Sequence, residues 1–287
     1  MPAIGLGSEW CGSGRACRTS ADQQTNAAEL LRQDARIVKL CEVYPYEVAE
    51  GPGNMALDEV LLEAVGAREL PAVLRLYGWS VPTLSLGYFQ RFSEIREQPR
   101  FSEVPVVRRP TGGGAIWHHH EVTYALVVPE THSFSRPSTQ LYRAVHTAIS
   151  DGLVGLGIGA VRQGEVFSPA DCERSRPLLC FTDRSAEDIL FDGNKIVGSA
   201  QRRRRGAVLQ HGSVLLARSS GTPELRGLCD VANLSADPVE WSERLVKWIT
   251  EGLSLIARAA TIPDAIRVQA SVRESSRYRE PAWTEIR

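Results

Sequence analysis

The residues best suited to covalent chemistry lie in one stretch, CFTDRSAEDILFDGNKIVGSA. It runs from Cys180 through an Asp192-Gly193-Asn194 turn to Lys195 and on to Gly198, Ser199 and Ala200. The thiolate is the reactive form of cysteine, and an unperturbed thiol with a pKa of about 8.5 is only a few per cent ionised near pH 7. An ammonium nearby raises that fraction, and Lys195 is the candidate to supply one. Such a pair suits thioester formation and acyl transfer. The structural alternatives are a buried, inert Cys180 and a Lys195 that is merely solvated where it enters its strand.

A second cluster is RRPTGGGAIWHHH, which holds Arg109, Gly112, Gly113, Gly114 and His118. It lacks both the G-x-G-x-x-G spacing of dinucleotide sites and the G-K-[ST] ending of a P-loop. What remains is a general capacity: glycine N–H groups can approach a carbonyl oxygen, a phosphate or a developing oxyanion, or the run can be a tight turn. The His118-His119-His120 run does not make a metal site, because alternation in an extended segment parts His119 from the other two and no acid or cysteine stands at ligand spacing. His118 and His211 fit a pocket wall, or a structural hydrogen-bonding role. Cys172, flanked by Asp171 and Glu173, reads as an exposed loop thiol whose neighbours disfavour the thiolate.

Several elements must position these groups. IVKLCEVYPYE reads as a strand broken by Gly51-Pro52-Gly53-Asn54, and MALDEVLLEAV as a helix with Asn54 as its N-cap. Met55, Val60, Leu61 and Ala64 mark its buried face, with Asp58 and Glu59 in its early, electropositive turns. VLRLYGW and TLSLGYF read as a hairpin or meander around Ser80-Val81-Pro82. Residues 122–128 form a buried strand, and 138–153 a helix with Leu141, Val145, Ala148 and Ile149 on one stripe. Arg202 to Arg205 reads as a solvated hairpin loop able to steer an acidic protein partner. A last helix starts at Asp237 and Pro238, with Trp241, Leu245, Trp248, Ile249, Leu253 and Ile256 on its apolar face.

At 287 residues and 43% hydrophobic, the chain can bury a large core. A net charge of −1 gives no pull toward nucleic acid or an anionic membrane, and no apolar run approaches membrane-helix length. Six irregularly spaced cysteines do not form a disulfide framework, and Cys11 and Cys17 lack zinc-site partners. With no basic-then-apolar leader, the expectation is a cytoplasmic protein. The irregular alternation of strands and helices predicts an α+β fold, with residues 1–35 as a poorly ordered extension, or carrying a short helix near Ala27 to Gln33, and 36–287 as a single domain.

RRPTGGGAIWH followed by E-V-T-Y, then D-G-N-K-I-V-G-S-A-Q-R and L-Q-H-G-S-V-L-L, resembles the lipoate-protein ligase and octanoyltransferase family. The resemblance implies the catalytic domain of biotin and lipoate protein ligases, a mixed, largely antiparallel β-sheet flanked by helices. The C-F-x-x-x-S-x-x-D context of Cys180 is similar to the nucleophile of the family's cysteine-dependent octanoyltransferases, and Lys195 to its active-site lysine. By the same resemblance Arg109, Gly112, Gly113, Gly114 and His118 line the acyl pocket, Gly198, Ser199 and Ala200 form its facing wall, and His211 belongs to the site. Gly114 and His119 stand where that branch commonly has arginine and aspartate. The implied donor is octanoyl-acyl carrier protein and the acceptor a lysine of a lipoyl domain or glycine cleavage H protein, with no cofactor. The alternatives are an ATP-dependent lipoate or octanoate ligase, whose R-N-D type motif is not found here, an amidotransferase between lipoyl-carrying proteins, and a binding module with a degenerate site.

Overall fold

The computed structural model describes residues 39–159, 161–162, 178–182 and 185–286, with backbone alone at 138, 161 and 162. The N-terminal extension, the helix expected near Ala27 to Gln33, and Cys11, Cys17 and Cys172 lie outside the described residues. The described chain begins with β1 (Leu40–Ala49), α1 (Gly51–Gly66), β2 (Ala72–Trp79), β3 (Thr83–Leu86), β4 (Val106–Arg108), β5 (Ile116–His118) and β6 (Glu121–Pro129). It continues with α2 (Ser138–Gly155), β7 (Val161–Arg162), β8 (Ile189–Phe191), β9 (Asn194–Arg204), β10 (Ala207–Leu215), α3 (Pro238–Gly252), β11 (Ile256–Ala259) and α4 (Asp264–Arg273). Shorter helical turns join some of these.

Eight strands make one sheet in the order β11-β1-β2-β6-β10-β9-β8-β7, and β4-β3-β5 make a smaller one. In the large sheet the β11-β1 and β1-β2 pairs are parallel and the others antiparallel, which is the mixed, largely antiparallel class expected. Helices cover both faces. Val73, Tyr77, Val127 and Leu209 pack against α1 and against Ile266 and Ala270 of α4. Leu74, Leu76, Tyr124 and Leu126 pack against Leu141, Val145 and Ile149 of α2 and against Trp241, Leu245 and Ile249 of α3. Strands buried on both faces read as continuous apolar runs, and each fully buried Leu or Val contributes about 1.5–3 kcal/mol. The result is a rigid frame from which β9, β10 and the loop before β5 present the site.

Five expectations are corrected. First, α1 begins at Gly51, not after Asn54, since Pro52 in a first turn has no N–H partner to lose. Asn54 instead ties the helix to the sheet, its Nδ2 donating to the carbonyls of Ala49 and Gly78 at 3.2 and 3.0 Å. Asp58 and Glu59 of this helix are buried in the interior. Second, β2 and β3 form no hairpin: both edges of β2 are taken by β1 and β6, so β3 joins β4 and β5 in the other sheet. Third, Arg202, Arg203 and Arg204 are strand residues opposite Leu209, Val208 and Ala207. Arg205 and Gly206, with φ of 48° and 89°, alone make the turn, a form whose twist suits a hairpin. Fourth, β5 ends at His118 and β6 begins at Glu121, so His119 and His120 lie in a bend and the expected alternation stops. Fifth, α3 ends at Gly252 and Ile256 opens the edge strand β11, where it is exposed. The N-cap of α3 is as expected, with Asp237 Oδ1 accepting from Val239 N–H at 2.9 Å.

Candidate active site

Backbone hydrogen bonds hold Cys180 against the glycine loop. Ala115 N–H donates to Leu178 O at 2.9 Å, and Cys180 N–H to Ala115 O at 2.7 Å. A Cβ on Gly114 would stand 2.9 Å from Cys180 N and 3.1 Å from its Cα, so the absence of a side chain lets the cysteine come this close. Arg109 braces the loop from beneath. Its guanidinium donates to Gly112 O and Gly114 O at 3.1 and 2.9 Å, and to Ser85 O and Oγ, both at 2.7 Å. The strand feeding the loop, β4, is clasped by the C-terminal tail. Arg108 donates through Nε and Nη2 to Thr284 O at 3.0 and 2.7 Å, and Trp283 Nε1 donates back to Arg108 O at 3.1 Å.

Lys195 reaches the same place from the other side. Asp192 and Gly193, with φ of 49° and 72°, turn β8 into β9 and set Lys195 at the start of β9. Its Nζ lies 3.7 Å from Cys180 Sγ, 2.9 Å from Cys180 O and 2.8 Å from Asp188 Oδ2. The Lys195 and Asp188 side chains are 4% and 2% exposed, so this ion pair is dry. A Cβ on Gly198 would meet Lys195 Cε at 2.7 Å, so Gly198 leaves room for the lysine. Gly113, Gly114, Cys180, Asp188, Lys195 and Ser199 line a cleft of about 900 Å³ together with Tyr142 of α2.

Next to the cleft is an apolar cavity of about 280 Å³. Met55, Tyr77, Trp79, Ile116 and Ala200 line it, with Arg109, His118 and His211 supplying polar edges. The His118 ring stacks on Trp79 at 3.7 Å. Its Nδ1 is 2.7 Å from Glu121 Oε1 and its Nε2 is 2.6 Å from Ser85 Oγ. Burial lowers the proton affinity of His118, and Glu121 opposes this without reversing it. Burial tends to raise Glu121, but His118 and the Ser213 and Thr123 hydroxyls hold its carboxyl below the usual range. His211 is placed similarly, Nδ1 at 3.1 Å from Asp58 Oδ2 and Nε2 at 2.7 Å from Thr111 Oγ1. Asp58 also accepts from Arg75 at 2.8 Å and from the Tyr77 hydroxyl at 3.0 Å.

The pleat of β9 divides the residues expected to form one wall. Ser199 faces the cleft, Ala200 faces the cavity, and Gly198 shapes the lysine. Cys180, Lys195, Gly113, Gly114 and Ser199 meet in the cleft; Arg109, His118, Ala200 and His211 meet at the cavity. Gly112 lines neither and is fastened to Arg109. Sequence reasoning missed Asp58, Glu121, Asp188 and His146. His146, between the stripe residues Val145 and Ile149, is fully buried, and burial pushes its proton affinity down to about 4. Among the described residues no cluster of three or more His, Cys, Asp or Glu could hold a metal, and no helix is long and apolar enough to cross a membrane.

A cysteine sulfur beside a lysine, with a glycine loop in front and an apolar cavity alongside, has the parts that acyl transfer requires. Residues 51–229 match the lipoyl protein ligase A/B catalytic domain. Octanoyltransferase LipM of Anoxybacillus flavithermus is 40% identical over 169 residues, 57% of this chain and 60% of that protein. Octanoyltransferase LipM of Bacillus subtilis is 38% identical over 172 residues, with the same two shares. The chain thus spans about 60% of the length of the curated relatives it matches. Among solved structures, lipoate-protein ligase A bound with ATP has a TM-score of 0.66 at 22% identity, covering 86% of this chain and 98% of that one. A bipartite lipoate protein ligase from Thermoplasma acidophilum has a TM-score of 0.61 at 21% identity, covering 85% and 96%. Those structures share the fold, and the match over residues 51–229 takes in the glycine loop, Cys180 and Lys195: the chain belongs to the lipoyl protein ligase A/B catalytic domain family.

Proposed function

We propose that this chain is an octanoyltransferase of lipoate biosynthesis, which moves an octanoyl group from acyl carrier protein, through a thioester on Cys180, to a lysine of a lipoyl domain or glycine cleavage H protein. The observation that carries the reading is the 3.7 Å approach of Lys195 Nζ to Cys180 Sγ in a cleft whose neighbouring space is an apolar cavity. Its lining of Met55, Tyr77, Trp79 and Ile116 suits an apolar acyl tail. The LipM relatives support the same assignment.

In the first step the Cys180 thiolate attacks the carrier thioester, forming one C–S bond as another breaks. The exchange is near thermoneutral and needs no ATP. Glycine-loop N–H groups and the Lys195 ammonium take up the charge that develops on the carbonyl oxygen. In the second step an acceptor lysine replaces the sulfur and an amide forms, which runs downhill. A partly desolvated lysine can also serve as a base toward an incoming amine. Held by Asp188 with its donors turned toward Cys180, Lys195 is better placed as a donor than as a base. Arg204 is paired with Glu59 and Glu63, so steering of an acidic carrier falls to Arg202, Arg203 and Arg205. We place the reaction in the cytoplasm, with residues 36–287 as its single catalytic domain.

The test is an intact-mass spectrum after mixing the protein with octanoyl-acyl carrier protein, without ATP, for wild type and Cys180→Ala. A hydroxylamine-sensitive octanoyl adduct on the wild type alone is expected. An unmodified wild type that instead releases pyrophosphate with ATP and free lipoate would replace this reading with the ATP-dependent ligase. Loading from an octanoylated glycine cleavage H protein and not from the carrier would replace it with the amidotransferase.

A further inference from the structure

Transfer to a lysine has an unassigned proton. The acceptor ammonium, with an ordinary pKa of about 10.4, must lose one proton to attack and a second as the amide forms. Lys195 is committed as a donor. Cys180 carries the acyl group at that moment.

A hydrogen-bonded chain with a definite direction ends in the cleft wall. His146 Nδ1 lies within hydrogen-bonding distance of the Glu187 carbonyl oxygen, which can only accept, so Nδ1 carries the hydrogen. In the neutral ring Nε2 is then bare, and it sits 2.6 Å from Ser199 Oγ, so the serine hydroxyl donates to it. Upstream, Gln201 Nε2 donates to Gln210 Oε1 at 2.8 Å, and Gln210 Nε2 donates to the Tyr124 hydroxyl at 3.1 Å. The Tyr124 hydrogen is therefore turned to Ser199 Oγ at 2.5 Å. A hydroxyl oxygen has two lone pairs. Tyr124 occupies one on Ser199 and the other is left for the cleft, which Ser199 lines together with Cys180 and Lys195. Full burial keeps the His146 ring neutral between transfers and lowers its proton affinity to about 4, so that it holds a proton only in passing.

We propose that Ser199 and His146 receive the proton released by the acceptor amine when it attacks the Cys180 thioester. This rests on the transferase reading and adds to it the proton acceptor of its second half. The acceptor lysine enters as the free amine, its ammonium proton already lost to solvent; its nitrogen bonds to the carbonyl carbon while the second proton passes to Ser199 Oγ and the serine proton passes to His146 Nε2. The C–S bond then breaks, Cys180 leaves as a thiolate beside the Lys195 ammonium, and the imidazolium returns its proton through Ser199 to the cleft. Ser199 touches the reacting amine, and His146 acts through it.

The test separates the two halves of the reaction. Wild type, His146→Gln and Ser199→Ala are loaded with octanoate from octanoyl-acyl carrier protein and desalted. Each is then mixed with a lipoyl domain or, separately, with hydroxylamine, whose weakly basic nitrogen gives an addition intermediate acidic enough to lose its proton to water without a base from the protein. Glutamine keeps an acceptor for the Ser199 hydroxyl but takes up no proton. Both variants are expected to acquire the adduct, to transfer it to the lipoyl domain about 100-fold more slowly, and to lose it to hydroxylamine at the wild-type rate. Wild-type transfer to the lipoyl domain by His146→Gln overturns the proposal, as does an equal slowing with hydroxylamine, which marks a structural role. Failure of both variants to load, with normal loading of the wild type, also overturns it by moving these residues to the first step. No adduct on the wild type sinks the transferase reading itself.

Discussion

The cavity and the cleft meet at β9 but are built on opposite plans. At the cavity each histidine is backed by a carboxylate, His118 by Glu121 and His211 by Asp58, and Asp58 is further held by Arg75 and Tyr77. No donor in that arrangement can turn away without leaving a buried charge or hydrogen bond uncompensated. In the cleft His146 is backed by a backbone carbonyl, and the Tyr142 hydroxyl both donates to Ser199 O and accepts from Ser199 N–H. The Tyr124 and Ser199 hydroxyls and the His146 ring there form a directed chain of neutral groups. The first wall is fixed; on the proposed reaction it would hold the acyl tail, and the second would carry protons during transfer.

The cleft's exception is the Lys195–Asp188 pair, and breaking it should give the largest effect. Asp188→Ala strands a buried ammonium and is expected to cost about 3–5 kcal/mol of stability. Cys180→Ala is expected to cost less than about 1 kcal/mol, since it leaves no charge unpaired. Denaturant midpoints compare the two, and an Asp188→Ala protein as stable as Cys180→Ala would show that the ion pair is not dry.

A smaller effect should appear in acid and distinguish His146 from the carboxylate-backed histidines. Burial depresses its proton affinity from 6.5 to about 4, so the unfolded chain binds that proton first as the pH falls. The stability contributed by the neutral ring is complete above pH 6.5 and is lost as the pH falls toward 4, about 3 kcal/mol at most. Melting wild type and His146→Gln across this window should show the shallower pH dependence in the variant, and parallel curves would contradict it.

The smallest effect belongs to the cavity. Ala200→Leu fills space behind the cleft and leaves the polar wall in place. Octanoyl loading is expected to fall about tenfold while butanoyl loading changes little. An equal loss with both acyl chains would mean that the substitution disturbs the cleft and that the two spaces are not independent.

The Cys180–Lys195 pair was legible because the D-G-N turn fixes where β9 begins, and Gly114 because a run of glycines invites close backbone approach. The buried β6 showed in the alternation of Val122, Tyr124, Leu126 and Val128 with Thr123, Ala125 and Val127. Asp58, Glu121 and His146 were not legible as site residues, because each stands in an element with other polar residues and polarity alone does not say which of them is turned inward. Periodicity marks the apolar face without revealing that a polar neighbour is turned inward as well. Asp58 and Glu59 looked like first-turn acids because solvent was assumed on one side of α1, whereas the sheet and α4 enclose that helix. The pairing of β2 was hidden for another reason: which strand claims an edge is decided by β1 and β6, far away in sequence.

The tail clasp bears on the order in which this site is completed during synthesis. Arg108 and Thr284 are separated by 176 positions, with Cys180 and Lys195 between them. A ribosome that has already released the thiol and its lysine still holds the residues that will fasten the strand leading into the glycine loop. Cys180 and Lys195 therefore emerge before their surroundings are secured, and a nascent chain halted short of Trp283 carries both residues without the clasp.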